Sequence, residues 1–402
     1  MSRTETLTVE RLGFRGEGIA TRDGKPVFIP LALPGETIIA EIEGNRARLL
    51  DIITPSPDRR PAPCPHFGAC GGCQLQHLTP ETYSAFKRSL VVDALSRVGI
   101  AAEVADPIIA HGSGRRRATL HATKTEAGFM GLRSHTIHPL DTCPILVPAL
   151  AKAPEIARAI AAVLGPCDVA FTATDMGLDL AIRAKGAKPH SGLTAIARAF
   201  DLARLSLNGE PLIVHRQPTV IMGRAEIPLP VSSFLQATAE AETVLATLVA
   251  DAVSGAKHIA DLFCGVGPFA LRLAERAKLF AADSDAPAIA ALDAAKRKAS
   301  GLKPIAAERR DLFREPLVPF ELDRFDAVVL DPPRAGAEAQ IRELAKSKVK
   351  TIAYVSCDPQ SFAHDAAILT AVGFRIGPVT PVDQFAFSAH TELFAVFNRV
   401  GR

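Results

Sequence analysis

From about residue 231 onward, short apolar runs alternate with amphipathic stretches, and no other feature limits the fold as strongly. The pattern predicts helices over 237–254, 268–277, 286–299, 337–347 and 359–372. Between them it predicts strands over 258–263, 278–283, 304–309, 325–330 and 351–356, with a closing pair of strands near 374–380 and 393–398. Strands that alternate with helices build a doubly wound, Rossmann-like α/β domain, and such sheets bind ligands outside the carboxyl ends of their strands. The chemistry of this chain is to be sought there.

Several strand ends carry reactive residues. The run DLFCGVGPF follows strand 258–263 and opens a helix, and Gly265 and Gly267 allow a tight turn and close backbone approach to a ligand. Strand 278–283 ends in Asp283, where a carboxylate can accept hydrogen bonds from both ribose hydroxyls. Together they suggest an adenosine-containing cofactor. The third glycine of a dinucleotide fingerprint is missing and no GxxxxGK[ST] loop occurs, so S-adenosylmethionine (AdoMet) fits better than NAD or a nucleoside triphosphate. A glycine turn that merely joins strand to helix is the plainer alternative. Farther on, one strand runs into DPPRAG at Asp331 and the next into SCDP, which sets Cys357 in a turn before a helix. That helix N-terminus is expected to favour the thiolate, the nucleophilic form. Cys264 and Cys167, in apolar surroundings, read as small core residues. The segment QFAFSAHTE ends in Glu392, which reads equally as a general base or as a solvated carboxylate at a strand edge.

Upstream, residues 1–55 alternate apolar and polar positions with turns at Asp23-Gly24 and Gly44-Asn45, the pattern of a five-stranded β-barrel. A linker with Pro55, Pro57, Pro61, Pro63 and Pro65 ends that unit. Residues 56–230 then form a cysteine-bearing loop, a helix begun by Thr79-Pro80 and ended by Gly99, and a central α+β region; residues 231–402 are the α/β domain. Cys64, Cys70 and Cys73 lie in the loop and Cys143 is a distant fourth, a sulfur set that suits zinc or an iron–sulfur cluster. Arg115, Arg116 and Arg117, followed by Thr119, His121 and Thr123, form either a phosphate-binding strand or a solvated charged edge.

Composition excludes some classes. The longest stretch without Asp, Glu, Lys or Arg, residues 61–80, is rich in proline, glycine and cysteine and is not a continuous apolar run, so a membrane span is not expected. The first residues lack the apolar core of a secretory signal, which places the chain in the cytoplasm, where cysteines serve as metal ligands, nucleophiles or core residues, not disulfides. A formal net charge of +3 permits nucleic-acid binding without identifying it, and the barrel's seven basic and eight acidic residues leave any grip there to local patches. With no Trp and two Tyr, base stacking would fall to Phe, His or Arg.

The set DLFCGVGPF, DPPRAG, VSCDP and HTE, in this order, resembles the AdoMet-dependent RNA (uracil-5-)-methyltransferases, and the resemblance covers essentially the whole chain. It implies a class I methyltransferase domain at the C-terminus and makes the N-terminal segment similar to the OB-like TRAM barrel, an RNA-binding module. It implies that Cys357 is the nucleophile and Glu392 the base, and that AdoMet contacts fall on Gln236, Phe263, Gly265, Asp283, Asp331 and Asp311. Pro268 stands where a polar residue is common and, lacking an N–H, is not assigned to the cofactor. The run CPHFGACGGCQLQHL followed by DTCP points in the same way to a [4Fe-4S] cluster on Cys64, Cys70, Cys73 and Cys143, with zinc the alternative. A barrel combined with a cysteine cluster resembles the ribosomal RNA enzymes more than the transfer RNA enzyme, so the expected partner is 23S rRNA and the expected role rRNA processing by a monomer. A tRNA enzyme is the alternative. A catalytically silent RNA-binding or assembly factor would carry a broken nucleophile or base motif, and both residues are present.

Overall fold

The computed structural model describes residues 3–400. At the C-terminus, nine strands form one mainly parallel sheet. Its principal strands are β1 (His258–Leu262), β2 (Lys278–Asp283), β3 (Ile305–Arg309), β4 (Ala327–Leu330), β5 (Thr351–Ser356), β6 (Thr380–Asp383) and β7 (Glu392–Arg399). In space the order is β3-β2-β1-β4-β5-β7-β6, with β7 antiparallel to β5. Helices pack on both faces, which is why β4 reads AVVL with every residue buried. The reversal of strand order beside β1 and β4 opens a crevice at the carboxyl ends, where the glycine turn, Asp331 and Cys357 lie.

One element joins this sheet from far upstream. Helix Pro80–Arg97 begins as its sequence indicates, with the Thr79 hydroxyl accepting from the Thr82 N–H at 3.4 Å and proline in the first turn. Its Val91, Ala94 and Leu95 bury into the same core as Phe362 and Ala366 of helix Pro359–Ala371. The chain after it adds a two-residue strand, Ile108–Ile109, to the β6 edge.

The N-terminal strands form a barrel-like sheet of six, not five, because Arg11–Leu12 is a separate two-residue strand paired with Gly18–Arg22. Val9, Val27, Ile29, Ile38 and Ile42 fill its core. The central region, whose topology the sequence leaves open, is a seven-stranded sheet between Arg117 and Val214 and its β-hairpin partners. Helices Ala153–Leu164 and Gly192–Ala199 bury against one face of it. Among the described residues no helix is long and apolar enough to cross a membrane.

Candidate active site

The glycine turn after β1 has the left-handed backbone that its sequence implies. Phe263, Gly265 and Gly267 take φ of 62°, 51° and 92°. At Gly267 a Cβ atom would stand 2.7 Å from Leu292 Cδ1, so the turn needs glycine both for conformation and for packing. The Gly265 N–H donates to Asp283 Oδ2 at 2.9 Å, which ties the turn to the end of β2. Asp261 Oδ2 accepts from the Ala270 N–H at 2.8 Å, whereas its Oδ1 is buried without a partner. The ring of Phe263 lies 5.4 Å from that of Phe313, whose N–H is held by Asp311 Oδ1 at 3.1 Å.

Four carboxylates thus gather at the strand ends, from Asp261, Asp283, Asp331 and Glu392. Burial, then the neighbouring Glu392, Asp261 and Asp283, push the Asp331 pKa well above the carboxylate range. Burial likewise raises Asp261 to about 7, with Asp283 adding to it, and raises Glu392 to about 7 against the opposing pull of Gln384 and Arg334. Such a field favours a cationic ligand. AdoMet carries a sulfonium and an ammonium, so the residues present fit it.

Cys357 follows β5 as expected, and Asp358 Oδ1 caps the next helix through the N–H groups of Gln360 and Ser361 at 2.9 and 3.0 Å. The thiolate is nonetheless not favoured in the unliganded protein. Burial, reinforced by Glu392 and Asp331, pushes the Cys357 thiol up to about 12, and the helix terminus and Arg334 do not reverse this. Glu392 opens β7 with only 2% exposed and is no solvated edge carboxylate. Its Oε2 accepts from Gln384 Nε2 at 2.6 Å; the same amide donates to Gln236 Oε1 at 2.7 Å, and Gln236 Nε2 donates to Asp331 Oδ2 at 3.2 Å. Gln384 has no role in the sequence reading, although a polar amide at the end of an apolar strand was a signal that could have found it.

Cys357 lines a cleft of about 1000 Å³. The barrel loop from Arg11 to Ile19, Arg46, Arg97, Arg133, Arg334 and His390 wall it, and Phe14 at the loop tip is 60% exposed. Arginines thus line a cleft that the barrel and Cys357 share.

The family described as tRNA (uracil-5-)-methyltransferase matches residues 223–400. An RNA methyltransferase of Brucella suis is 44% identical over 99% of both chains. The 23S rRNA (uracil(1939)-C(5))-methyltransferase RlmD of Chromohalobacter salexigens is 32% identical over 98% of this chain and 89% of its own. This chain belongs to the RNA (uracil-5-)-methyltransferase family. It is an AdoMet-dependent RNA methyltransferase, and the fold agrees: the tRNA (uracil-54, C5)-methyltransferase of Pyrococcus abyssi superposes with a TM-score of 0.76, covering 98% of this chain and 100% of that one at 22% identity.

The cysteines of this family member occupy a second locus. Cys64, Cys70, Cys73 and Cys143 all line one small cavity with Phe67 and Phe129, and all are free thiols. Burial raises Cys73 to about 12 and Cys143 to about 11, and each of these thiols is pushed further by its neighbours in the set. Among the described residues no three His, Cys, Asp or Glu side chains stand close enough to hold a metal ion. Cys167 and Cys264 are buried in the cores, as expected.

Proposed function

We propose that this enzyme methylates carbon 5 of a uridine in 23S rRNA through a covalent adduct to Cys357. The observation that carries the reading is the convergence of Cys357 with Glu392 and Asp331, near enough that both carboxylates act on the thiol, beside the arginine-lined cleft that Cys357 itself lines. Carbon 5 of uracil is a poor nucleophile. Once the Cys357 thiol has released its proton to solvent, addition of the thiolate to carbon 6 moves the C5=C6 electron pair toward the carbonyl at carbon 4 and makes an enolate whose carbon 5 is strongly nucleophilic. AdoMet, once bound, supplies the methyl group and leaves as S-adenosylhomocysteine. Glu392 then takes the carbon 5 proton, the C–H pair re-forms the double bond, and the C6–S bond breaks to return the thiolate.

Gln236, Phe263, Gly265, Asp283, Asp311 and Asp331 are the residues we assign to AdoMet. The turn at Gly265 and the Asp283 carboxylate suit the ribose, the Phe263–Phe313 pair beside Asp311 suits the adenine, and Asp331 with Gln236 lies nearest the reacting base. The uridine must leave its stack to reach Cys357, and the barrel loop with Phe14 and Arg15 supplies a stacking and phosphate-binding wall for flanking nucleotides. This assigns the barrel the RNA-gripping role of a TRAM domain.

The choice of 23S rRNA rests on the full-length relative of that activity. Architecture does not decide it, because an archaeal tRNA enzyme shares the fold over 98% of this chain. A [4Fe-4S] cluster on Cys64, Cys70, Cys73 and Cys143 is supported by four thiols around one cavity, the ligand set such a cluster uses. It would tie the proline-rich linker to the central domain and would add iron–sulfur redox chemistry that methyl transfer does not require.

The test is RNA carrying 5-fluorouridine. Wild-type protein with AdoMet should form a denaturant-resistant adduct that maps to the Cys357 peptide, because fluorine cannot leave as a cation. Absence of that linkage overturns the covalent route. Mapping 5-methyluridine in cells with and without the protein should show one 23S rRNA position lost; loss confined to tRNA would move the substrate there.

A further inference from the structure

Strand β6 ends in Asp383, and the next residue, Gln384, turns its side chain inward with 1% exposed. Both of its amide N–H donors and its carbonyl oxygen are engaged. Oε1 accepts from the Ala237 N–H at 2.7 Å, while Nε2 donates both to Gln236 Oε1 at 2.7 Å and to Glu392 Oε2 at 2.6 Å. The Ala237 main-chain N–H can only donate. It therefore fixes which end of the amide is oxygen, since a flipped amide would set N–H against N–H and oxygen against two oxygens. Gln236 is oriented in turn: with its carbonyl turned to Gln384, its own NH₂ faces Asp331 Oδ2. One donor chain thus runs from the backbone at residue 237 to both carboxylates that flank the reacting base. Glu392 Oε1 takes no hydrogen bond among the described residues.

We propose that Gln384 is a positioning residue for proton removal: it clamps Glu392 by Oε2, leaves Oε1 to meet the carbon 5 proton, and through Gln236 holds Asp331 in the matching orientation. The inference rests on Glu392 as the base in the proposed function. An amide donor to a carboxylate also stabilises its charged form, which opposes the burial that raises Glu392. The other ionisable groups facing Glu392 are Asp331 and Arg334 after β4 and Cys357 after β5, and none of them bonds to Gln384.

Gln384→Met keeps the side-chain length and removes every donor. This variant should still bind AdoMet, more weakly to the extent that Gln236 and Asp331 lose their orientation, and should still trap 5-fluorouridine RNA at saturating AdoMet, because trapping precedes proton removal. On ordinary uridine RNA its adduct should release on the order of ten- to a hundredfold more slowly, as expected for a lost hydrogen bond to a charged group. The pH below which release falls should move upward, which a merely structural loss would not cause. Gln384→Glu, which keeps the shape and the bond from Ala237, should be slowed at least as much. Wild-type release and pH profile in either variant, or failure of both to trap 5-fluorouridine RNA while AdoMet binding is intact, overturns the assignment. If wild-type enzyme itself traps nothing, it is the covalent reading that fails.

Discussion

Lys87 is the most consequential charge outside the reaction centre. It lies on helix Pro80–Arg97, is fully buried, and places Nζ 2.8 Å from Asp383 Oδ1 and 3.3 Å from the Phe385 carbonyl, with a further bond to the His390 carbonyl. Its three protons have three acceptors. Asp383 also accepts from the Tyr83 hydroxyl at 2.5 Å, from His111 at 2.8 Å when that ring nitrogen carries its proton, and from the Phe385 N–H at 3.2 Å. Lys87→Met would keep the stem and delete the ammonium. Breaking a buried pair costs about 3–5 kcal/mol, and the donors left on Asp383 place this case near 3 kcal/mol. For a unit of this size that lowers Tm by roughly 6–12 °C in calorimetry. Because the two carbonyls belong to the loop leading into Glu392, turnover should fall while AdoMet affinity persists. Lys87→Met combined with Asp383→Asn should be less damaging than the sum of the single changes, since the stranded charge is gone. A Tm shift under about 2 °C, or strict additivity, would refute the argument that this pair holds the loop.

Glu392→Gln should accumulate the RNA adduct. Its folded-state pKa lies above the unfolded one, so Glu392 lends stability at low pH that is lost as pH rises from the ordinary carboxylate range through about 7; Glu392→Gln should therefore stabilise AdoMet-free protein more at pH ~8 than at pH ~5, measured by urea melts. Gly267→Ala meets both a φ of 92° and a Leu292 methyl at 2.7 Å, and should cost about 1–3 kcal/mol and weaken AdoMet binding in calorimetric titration. Cys73→Ser should abolish the brown colour expected of anaerobically purified protein; colourless wild type with one zinc per chain would replace the cluster by the other metal.

Legibility followed sequence distance. The strand ends were readable because a βα turn is local: Gly265 and Gly267 lie within a few residues of the end of β1, and the capping Asp358 and the proline at the helix start directly follow Cys357. The docking of helix Pro80–Arg97 and strand Ile108–Ile109 against β6 was not readable, since their partners lie nearly 300 positions on, as in Tyr83 to Asp383. Packing likewise explains why Cys357 is a thiol at rest. The local helix end argued for a thiolate, but burial, reinforced by Glu392 and Asp331 from other strands, outweighs it. The separate strand Arg11–Leu12 was missed because two residues carry no periodicity.

The base is therefore fixed from both ends of the chain. Its approach loop, 384–391, is held below by Lys87 and Tyr83, and from the side by the Gln74 and Leu75 N–H groups, which donate to the Phe387 carbonyl at 2.8 and 3.0 Å. Phe387 takes a φ of 57°, a conformation an unbraced phenylalanine would leave. Since Gln74 directly follows Cys73, whatever orders the cysteine loop also orders the carbonyl that shapes the turn before Glu392. That is a physical reason for a methyltransferase sheet to be preceded, in one chain, by a cysteine loop and a helix that return to its edge: the C-terminal strand alone supplies Glu392 but cannot hold the loop that aims it.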